Sequence, residues 1–475
     1  MKRYSTIALA AALAAVAGCK DNPVANPIDA PTVDALAGGL TPTSLLQLVT
    51  GALAQDRTTW NDVPGIIEPE IMARDAYRLD QSEPRYVTET LGGNPDPGSF
   101  AGGRGFTGYY TALRAENNVI IALDAATPGA QFSAAQINAT KGFLRTMKAY
   151  EYWRLIELHD TVGVPIQSDD PSEVTPIRCK EAVLDYIRAL LDSANADLVA
   201  AGGSTKLPIK LPTGFSSHGR DYNVVSNLIL FNRGWKGKVD YYRAVDRKAK
   251  QPALFATAVA ELTQALGAGP GAVPASQFAT GAYYHFVSGG TENQPNVLAD
   301  QKVAINPLAR DSLQAGDTRA SKIVARTDTL TVTQGGGTLS SAYTYIGAVP
   351  TAGNQNAPEP ILRDEELVLI RAQAYIEMGD FVNAALDLND VRTSYGLAPV
   401  TITSVDDGRN KVLYEKRYSL FFEGAQRWDD LREYGRLNKN FLRPELPADP
   451  YNAALPITRA ELDARGVSTN PACTA

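Results

Sequence analysis

Apolar residues recur at steps of three and four along most of the chain, the spacing that lines one face of an α-helix. Ser44–Asp56 predicts the first such helix, with Thr43 or Ser44 as its N-cap. Asn118–Ala125 and Lys141–Leu158 predict a second pair. In the latter, Phe143, Leu144, Met147, Tyr150, Trp153, Ile156 and Leu158 leave few polar faces, so that helix belongs between neighbours. Lys180–Ala200 is amphipathic, with Val183, Leu184, Ile187, Leu190, Leu191 and Leu198 on its inner side. Tyr222–Val245 and Leu254–Leu266 form the next pair. Glu365–Gly396 reads as helix–turn–helix: Gly379-Asp380 stops the first helix, because Gly readily takes the left-handed cap, and Phe381, Ala384, Ala385 and Leu388 begin the second.

Lys411–Arg436 continues the pattern. Tyr414, Tyr418, Phe421, Ala425, Trp428 and Leu431 share one helical face, and charged residues fill the positions between them. This predicts a long amphipathic helix or a bent helix pair, with Glu423 and Arg427 one turn apart and satisfying buried partners. The run Ala374-Tyr375, Gly379-Asp380-Phe381, Ala384 has small residues where helices touch and an aromatic in the gap, the packing pattern of tetratricopeptide repeats. The repeat period is irregular, so the elements are repeat-like pairs rather than a regular array.

Two segments resist helix assignment. Arg78–Thr107 is rich in Gly and Pro; Gly271–Pro360 is rich in Gly, Asn, Thr and Ser and contains one predicted strand, Asp328–Thr333. Long irregular segments in a compact protein are functional or disordered, and the Tyr content of these two favours order.

The first residues carry a different pattern. Lys2-Arg3 precede an eleven-residue apolar run, Ile7–Ala17, too short to span a bilayer of about 30 Å. Val16-Ala17-Gly18-Cys19 is then the small-residue approach to a lipoprotein cleavage site. The expected organisation is a signal peptide over 1–18, a tether over 19–42 lipidated at Cys19, and one helical domain over 43–475 with a loop-rich insertion at about 271–360. Four prolines (Pro23, Pro27, Pro31, Pro42) make the tether extended, with a reach of roughly 70 Å for about twenty residues.

Lys and Arg number 45 against 52 Asp and Glu, a net charge of −7, and there is no basic run, so nucleic acid is not an expected partner. The three histidines, His159, His218 and His285, are far apart in sequence and form no His-Glu-x-x-His motif. No Gly-x-Ser-x-Gly elbow or phosphate-binding loop is present. Neither enzyme activity nor a cofactor or metal is therefore expected, although glycoside hydrolysis needs only two carboxylates, at any separation in sequence. His159 closes a predicted helix, where a cationic ring would complement the dipole. Cys179 and Cys473 are either a disulfide or a buried thiol and a free one.

The motifs Glu415-x-Arg417, Phe421-Phe422-Glu423-Gly424, Arg427-Trp428 and Asp430-Leu431-Arg432, closing on Gly435, resemble the C-terminal signature of the SusD/RagB family. Arg145, Ala149 and Tyr150, the turn Gly163-Val164-Pro165, Asp317-Thr318-Arg319 and Leu455-Pro456-Ile457 echo other family positions; Thr458 replaces the second proline of the last. The resemblance implies a mainly α fold of tetratricopeptide-like helix pairs with long irregular loop insertions. It also implies a nutrient-binding lipoprotein of the outer membrane, held there by its lipid, that passes its ligand to a SusC-like TonB-dependent transporter. The expected ligand is an oligosaccharide, with an oligopeptide as the alternative; a cell-envelope scaffold that binds no nutrient is the reading from another class. Family ligand contacts come from loops of the two irregular kinds. The expected contacts here are Tyr77, Arg78 and Tyr86 from the first, with Tyr283, Tyr284, His285, Tyr343 and Tyr345 from the second. Each ring, taken singly, serves equally well to anchor its loop to the helices.

Overall fold

The computed structural model describes residues 39–102, 105–290, 293–334, 337–349, 351–446, 449–469 and 473. The expected signal peptide, the lipidation site Cys19 and residues 20–38 of the expected tether lie outside the described residues.

Helix α1 (Pro42–Trp60) is capped by Thr41, ahead of the expected Thr43 or Ser44. The Thr41 hydroxyl accepts from the Ser44 N–H, and Ser44 Oγ accepts from the Thr41 N–H, closing a reciprocal box; Pro42 fits the first turn because its missing N–H would be unpaired there anyway. Helix α2 (Val63–Met72) follows at once, buried along its length, and has no sequence periodicity because every face is covered. Strand β1 (Ala76–Arg78) leads to α3 (Phe106–Asp124), which starts well before the expected Asn118, and α4 (Ala134–His159). After the short pair β2 (Val164–Pro165) and β3 (Ile177–Arg178) come α5 (Lys180–Ala201), α6 (Val225–Val245) and α7 (Leu254–Leu266). The insertion then holds β4 (Gly281–Tyr284), β5 (Val303–Ile305), β6 (Ile323–Gln334) and β7 (Gly337–Tyr345) and runs into β8 (Glu359–Arg363). The predicted strand Asp328–Thr333 is the middle of β6. The chain ends with α8 (Asp364–Met378), α9 (Phe381–Ser394), α10 (Val405–Ser419), α11 (Gln426–Glu433) and α12 (Arg459–Ala464).

The fold is mainly α. Helices pack in succession: α1 on α3, α3 on α4, α4 on α5, α5 on α6, α6 on α7, α7 on α8, and α8 on both α9 and α10. Two of these contacts are close because a glycine sits in them. A Cβ on Gly142 of α4 would lie 2.6 Å from Leu198 of α5, and one on Gly237 of α6 would lie 2.6 Å from Leu262 of α7. The strands form antiparallel pairs, β1–β5, β2–β3, β4–β8 and β6–β7, on the flank of the helical stack. No described helix is long and apolar enough to cross a membrane.

The stretch 411–436 is the bent pair. Helix α10 stops at Ser419 and α11 starts at Gln426, with Phe422 (φ 64°) and Gly424 (φ 87°) in the left-handed region between them. Glu423 and Arg427 therefore take partners on different elements rather than serving as one helical turn. Glu423 pairs with Arg363 at the end of β8 (2.6 Å), and Arg427 with Asp75 just before β1 (2.9 Å). Arg417 of α10 also reaches Asp75 (2.6 Å), so two guanidiniums from either side of the bend grip one buried carboxylate. Glu70 accepts the Phe422 N–H at 2.9 Å. Burial, with the Asp75 charge adding to it, pushes the Glu70 carboxyl up to about 8, against the hydrogen bond and the two arginines that favour its ion.

Cys179 and Cys473 form a disulfide that ties the start of α5 to the C-terminal segment. The expectation for His159 is corrected. Its ring is buried, burial holds it down at about 4, and Nδ1 lies 2.9 Å from the Leu455 carbonyl. A neutral ring fastens the C-terminal segment; it does not offer charge to the helix dipole.

Removing one member of a buried ion pair costs about 3–5 kcal/mol. Arg427→Ala leaves Asp75 with Arg417 alone, and the melting temperature followed by circular dichroism is expected to fall by roughly 5 °C or more. An unchanged melting curve would show that the bend is held by packing and not by this clamp.

Candidate functional site

A cavity of about 410 Å³ opens between α1, the segment joining α5 to α6, and β4 with the residue after it. It is larger than three other surface cavities, of about 390, 270 and 210 Å³. Helix α1 presents Thr50, Leu53, Ala54 and Arg57, spaced as one helical face. The α5–α6 segment adds Lys210, Leu211, Pro212, Thr213 and Phe215, and the third wall is Tyr283, Tyr284 and His285.

Local geometry explains why these pieces meet. The 212–222 segment lies on β4: the Gly281 N–H donates to the His218 carbonyl at 3.0 Å. Gly214 lies flat against the backbone of β4; a Cβ there would come 1.8 Å from the Tyr283 carbonyl oxygen. Phe215 anchors the segment edge-on to Phe143 of α4, 5.7 Å between centroids. Arg57 donates to the His285 carbonyl at 3.2 Å, closing the gap between α1 and the strand.

Three of the eight expected contact residues line this cavity. Tyr283 stacks on the His218 ring (3.9 Å between centroids) and donates its hydroxyl to the Ala279 carbonyl. Tyr284 is buried behind the wall, with its hydroxyl on Asp56 and its ring 5.4 Å from Trp60. Burial pushes the Asp56 carboxyl up to about 7, with the Tyr284 hydroxyl and the more distant Arg154 opposing the rise. His285 is half-buried on the rim. Its Nε2 lies 2.9 Å from Nε2 of His218, so at most one proton sits between the two rings. Burial lowers both imidazoles below their ordinary value, and the neighbouring His285 lowers His218 further.

The other five lie elsewhere. Tyr77 is buried in β1, opposite Ala304 of β5, with its hydroxyl on Glu445. Arg78 pairs with Asp300 at 2.7 Å and lies over the buried Tyr86 ring at 4.6 Å. Tyr345 packs 4.7 Å from Phe422 at the bend, while the half-buried Tyr343 lies under Arg310 at 5.4 Å. These rings anchor loops in this conformation; they do not combine with Tyr283–His285 into one stacking surface.

Arg57, Lys210 and Thr50 were not singled out from sequence. The helical face of α1 gave no reason to treat Arg57 as more than a solvated charge. The stretch 202–220 did carry a signal, in Pro208, Pro212, Gly214 and Gly219, the same irregularity that marked the other two segments. Among the described residues, no three His, Cys, Asp or Glu side chains are grouped so as to hold a metal ion.

The architecture and the cavity together define a class: a scaffold of helix pairs that carries a preformed cavity walled by one helix, one loop and one strand. The SusD family model matches residues 309–467, which include the bend and the two arginines that grip Asp75. The same fold is found in NanU of B. fragilis (TM-score 0.62, 16% identity, 92% of this chain and 97% of that one). It is also found in surface glycan-binding protein A from Bacteroides uniformis (TM-score 0.64, 16% identity, 89% and 98%). A SusD superfamily protein from Bacteroides thetaiotaomicron is similar as well (TM-score 0.64, 16% identity, 91% and 100%). No curated protein sequence matches the chain. Residues 309–467 thus resemble the SusD family in sequence, and the chain as a whole shares the fold of these solved structures.

The two facing imidazoles make a pH prediction. Burial lowers both rings, and a proton on His285 further opposes one on His218, 2.9 Å away. Both rings should therefore titrate below about 6.5 in an NMR pH series, and His285→Asn should move the His218 midpoint upward. Two independent midpoints at the ordinary value would show that the pair does not form.

Proposed function

We propose that this protein is a lipid-anchored binding protein of the outer membrane that captures an oligosaccharide and delivers it to a SusC-like TonB-dependent transporter. The observation that carries the reading is the 410 Å³ cavity. It combines a preformed apolar floor with a few directed polar groups, the usual composition of a small-ligand site. Its Tyr and His rings offer faces and edges to a sugar, and Arg57, Lys210 and Thr213 offer hydrogen bonds to hydroxyls. Nothing in such capture requires a bond to break, so the cavity works as a holding site, and release follows from moderate affinity. The fold neighbour described as a surface glycan-binding protein supports the choice of glycan over peptide. Anchoring rests on the Val16-Ala17-Gly18-Cys19 sequence, and partnership with a transporter rests on the match of residues 309–467 to the SusD family model.

Two experiments test this. A glycan-and-peptide array probed with the full-length chain in mild detergent should retain glycans. Calorimetry on the retained glycan should then show at least a roughly tenfold loss for Thr50→Trp, which fills the cavity mouth from an exposed position, at an unchanged melting temperature. Unchanged affinity would move the site away from this cavity, and retention of peptides alone would overturn the glycan reading. Separately, Cys19→Ala should abolish incorporation of labelled palmitate and release the protein from the membrane fraction; continued labelling would refute the anchor.

A further inference from the structure

The chain carries more acid than base, yet the cavity does the opposite. Its charged lining consists of Arg57 and Lys210, joined by the His285 imidazole, and among the described residues no Asp or Glu side chain lines it. Other cavities are different. The one of about 270 Å³ includes Glu173 and Glu461, and the one of about 390 Å³ includes Asp328. The one of about 210 Å³ has three arginines, but Arg417 and Arg427 are paired with Asp75 and Arg436 with Asp406.

The cations of the candidate site are not spent in this way. Arg57 makes one hydrogen bond, to the His285 carbonyl, and no ion pair among the described residues. Its Nε is sealed from solvent without an acceptor. Lys210 is exposed. Asp221 is close enough for its charge to be felt at Lys210, but its carboxylate already accepts the Asn223 backbone N–H and side-chain amide. Asp56 lies behind Tyr284, under that residue's hydroxyl, and does not reach the cavity. A guanidinium with a single hydrogen bond and no ion pair is an incomplete arrangement, and a neutral sugar hydroxyl completes it only weakly. Carboxylate or sulfate oxygens complete it with charge-assisted bonds in a partly dry setting.

We propose that the cavity selects glycans bearing an anionic group, a carboxylate or a sulfate, which Arg57 and Lys210 hold against the Tyr283–His285 wall. The proposal rests on the capture reading above and names the ligand class for that same site. A linear acidic glycan would place one charged ring in the cavity and run its neighbours along the exposed Thr50 and Thr213 edges. Selectivity would then come from charge, with the rings fixing orientation.

The test uses matched probes in calorimetry with the full-length chain: a tetragalacturonide, the same oligomer fully methyl-esterified, and a chondroitin sulfate tetrasaccharide. At low salt, one or both acidic probes should bind about tenfold or more tightly than the ester, the scale of one charged hydrogen bond. Tighter binding of the tetragalacturonide identifies carboxylate; tighter binding of the chondroitin sulfate tetrasaccharide, which carries both groups, identifies sulfate when chemical desulfation of that probe abolishes the difference. The advantage should collapse at about 1 M salt, where the screening length is about 3 Å. Arg57→Gln and Lys210→Gln should each reduce acidic-probe affinity about tenfold and reduce affinity for the ester, which loses only a neutral hydrogen bond, much less. Lys210 is exposed, so its variant remains informative if Arg57→Gln folds poorly. Equal binding of acid and ester, or acid binding indifferent to Lys210→Gln, overturns the proposal. So does an array on which only neutral glycans are retained, an outcome that leaves glycan capture standing. An array that retains no glycan of either charge removes both.

Discussion

One carboxylate holds the two ends of this fold together. Asp75 lies where α2 gives way to β1, is fully buried, and would be costly to leave ionised alone. Arg417 and Arg427 approach it from the two helices of the C-terminal pair, which can supply both cations only if the chain turns sharply between them. The turn has its own supports. Phe422 tolerates a left-handed backbone because its N–H is taken by Glu70 and its ring lies in the core beside Tyr345. Gly424 lies 3.0 Å, measured from where a Cβ would stand, from an Arg154 nitrogen, so any side chain there would push on the buried Arg154–Glu157 pair of α4. The signature residues are thus contacts between the first and last parts of the chain, which explains why they are charged and still buried.

The same view separates what the sequence could disclose from what it could not. Helices with one apolar face, such as α5 and α7, were legible almost to the residue, because half of each faces water and its pattern survives. Helix α2 was not, since burial on every side erases the contrast that periodicity depends on, and Pro69 argues locally against a helix. The bend itself was readable only as one of two options. Helical spacing continues across Ser419–Gln426, and nothing local shows that φ reverses at Phe422. The disulfide was undecidable for a related reason: 294 residues separate Cys179 from Cys473, and only the folded path brings them together.

The candidate cavity was legible in part, and the failures have one cause. Tyrosine abundance pointed to two loops, one of which lines the cavity, but could not distinguish a ring that lines a cavity from one that pins a loop. Tyr77 and Tyr345 pin loops; their hydroxyl or ring already has a protein partner. His285 and Tyr283 do line the cavity, yet two of the three walls around them arise from α1 and from residues 210–215. A site assembled from three places in the chain has no local motif. What identifies it is a charge left without a partner, and partners are visible only in three dimensions.

The helix that carries Arg57 also has a mechanical role. It begins at Pro42, immediately after the stretch expected to run back to the membrane, and Thr50 stands eight residues along it, about 12 Å at the rise of an α-helix. A helix is stiff along its axis, so tension arriving at Thr41 is not absorbed by a loop before it meets the cavity. It passes along α1 to the wall formed by Thr50, Leu53 and Arg57, whose link to the His285 carbonyl spans the opening. Under the proposed capture and anchoring, the grip of the cavity and the pull of the tether would act on the same rod, and a load on one would change the width of the other.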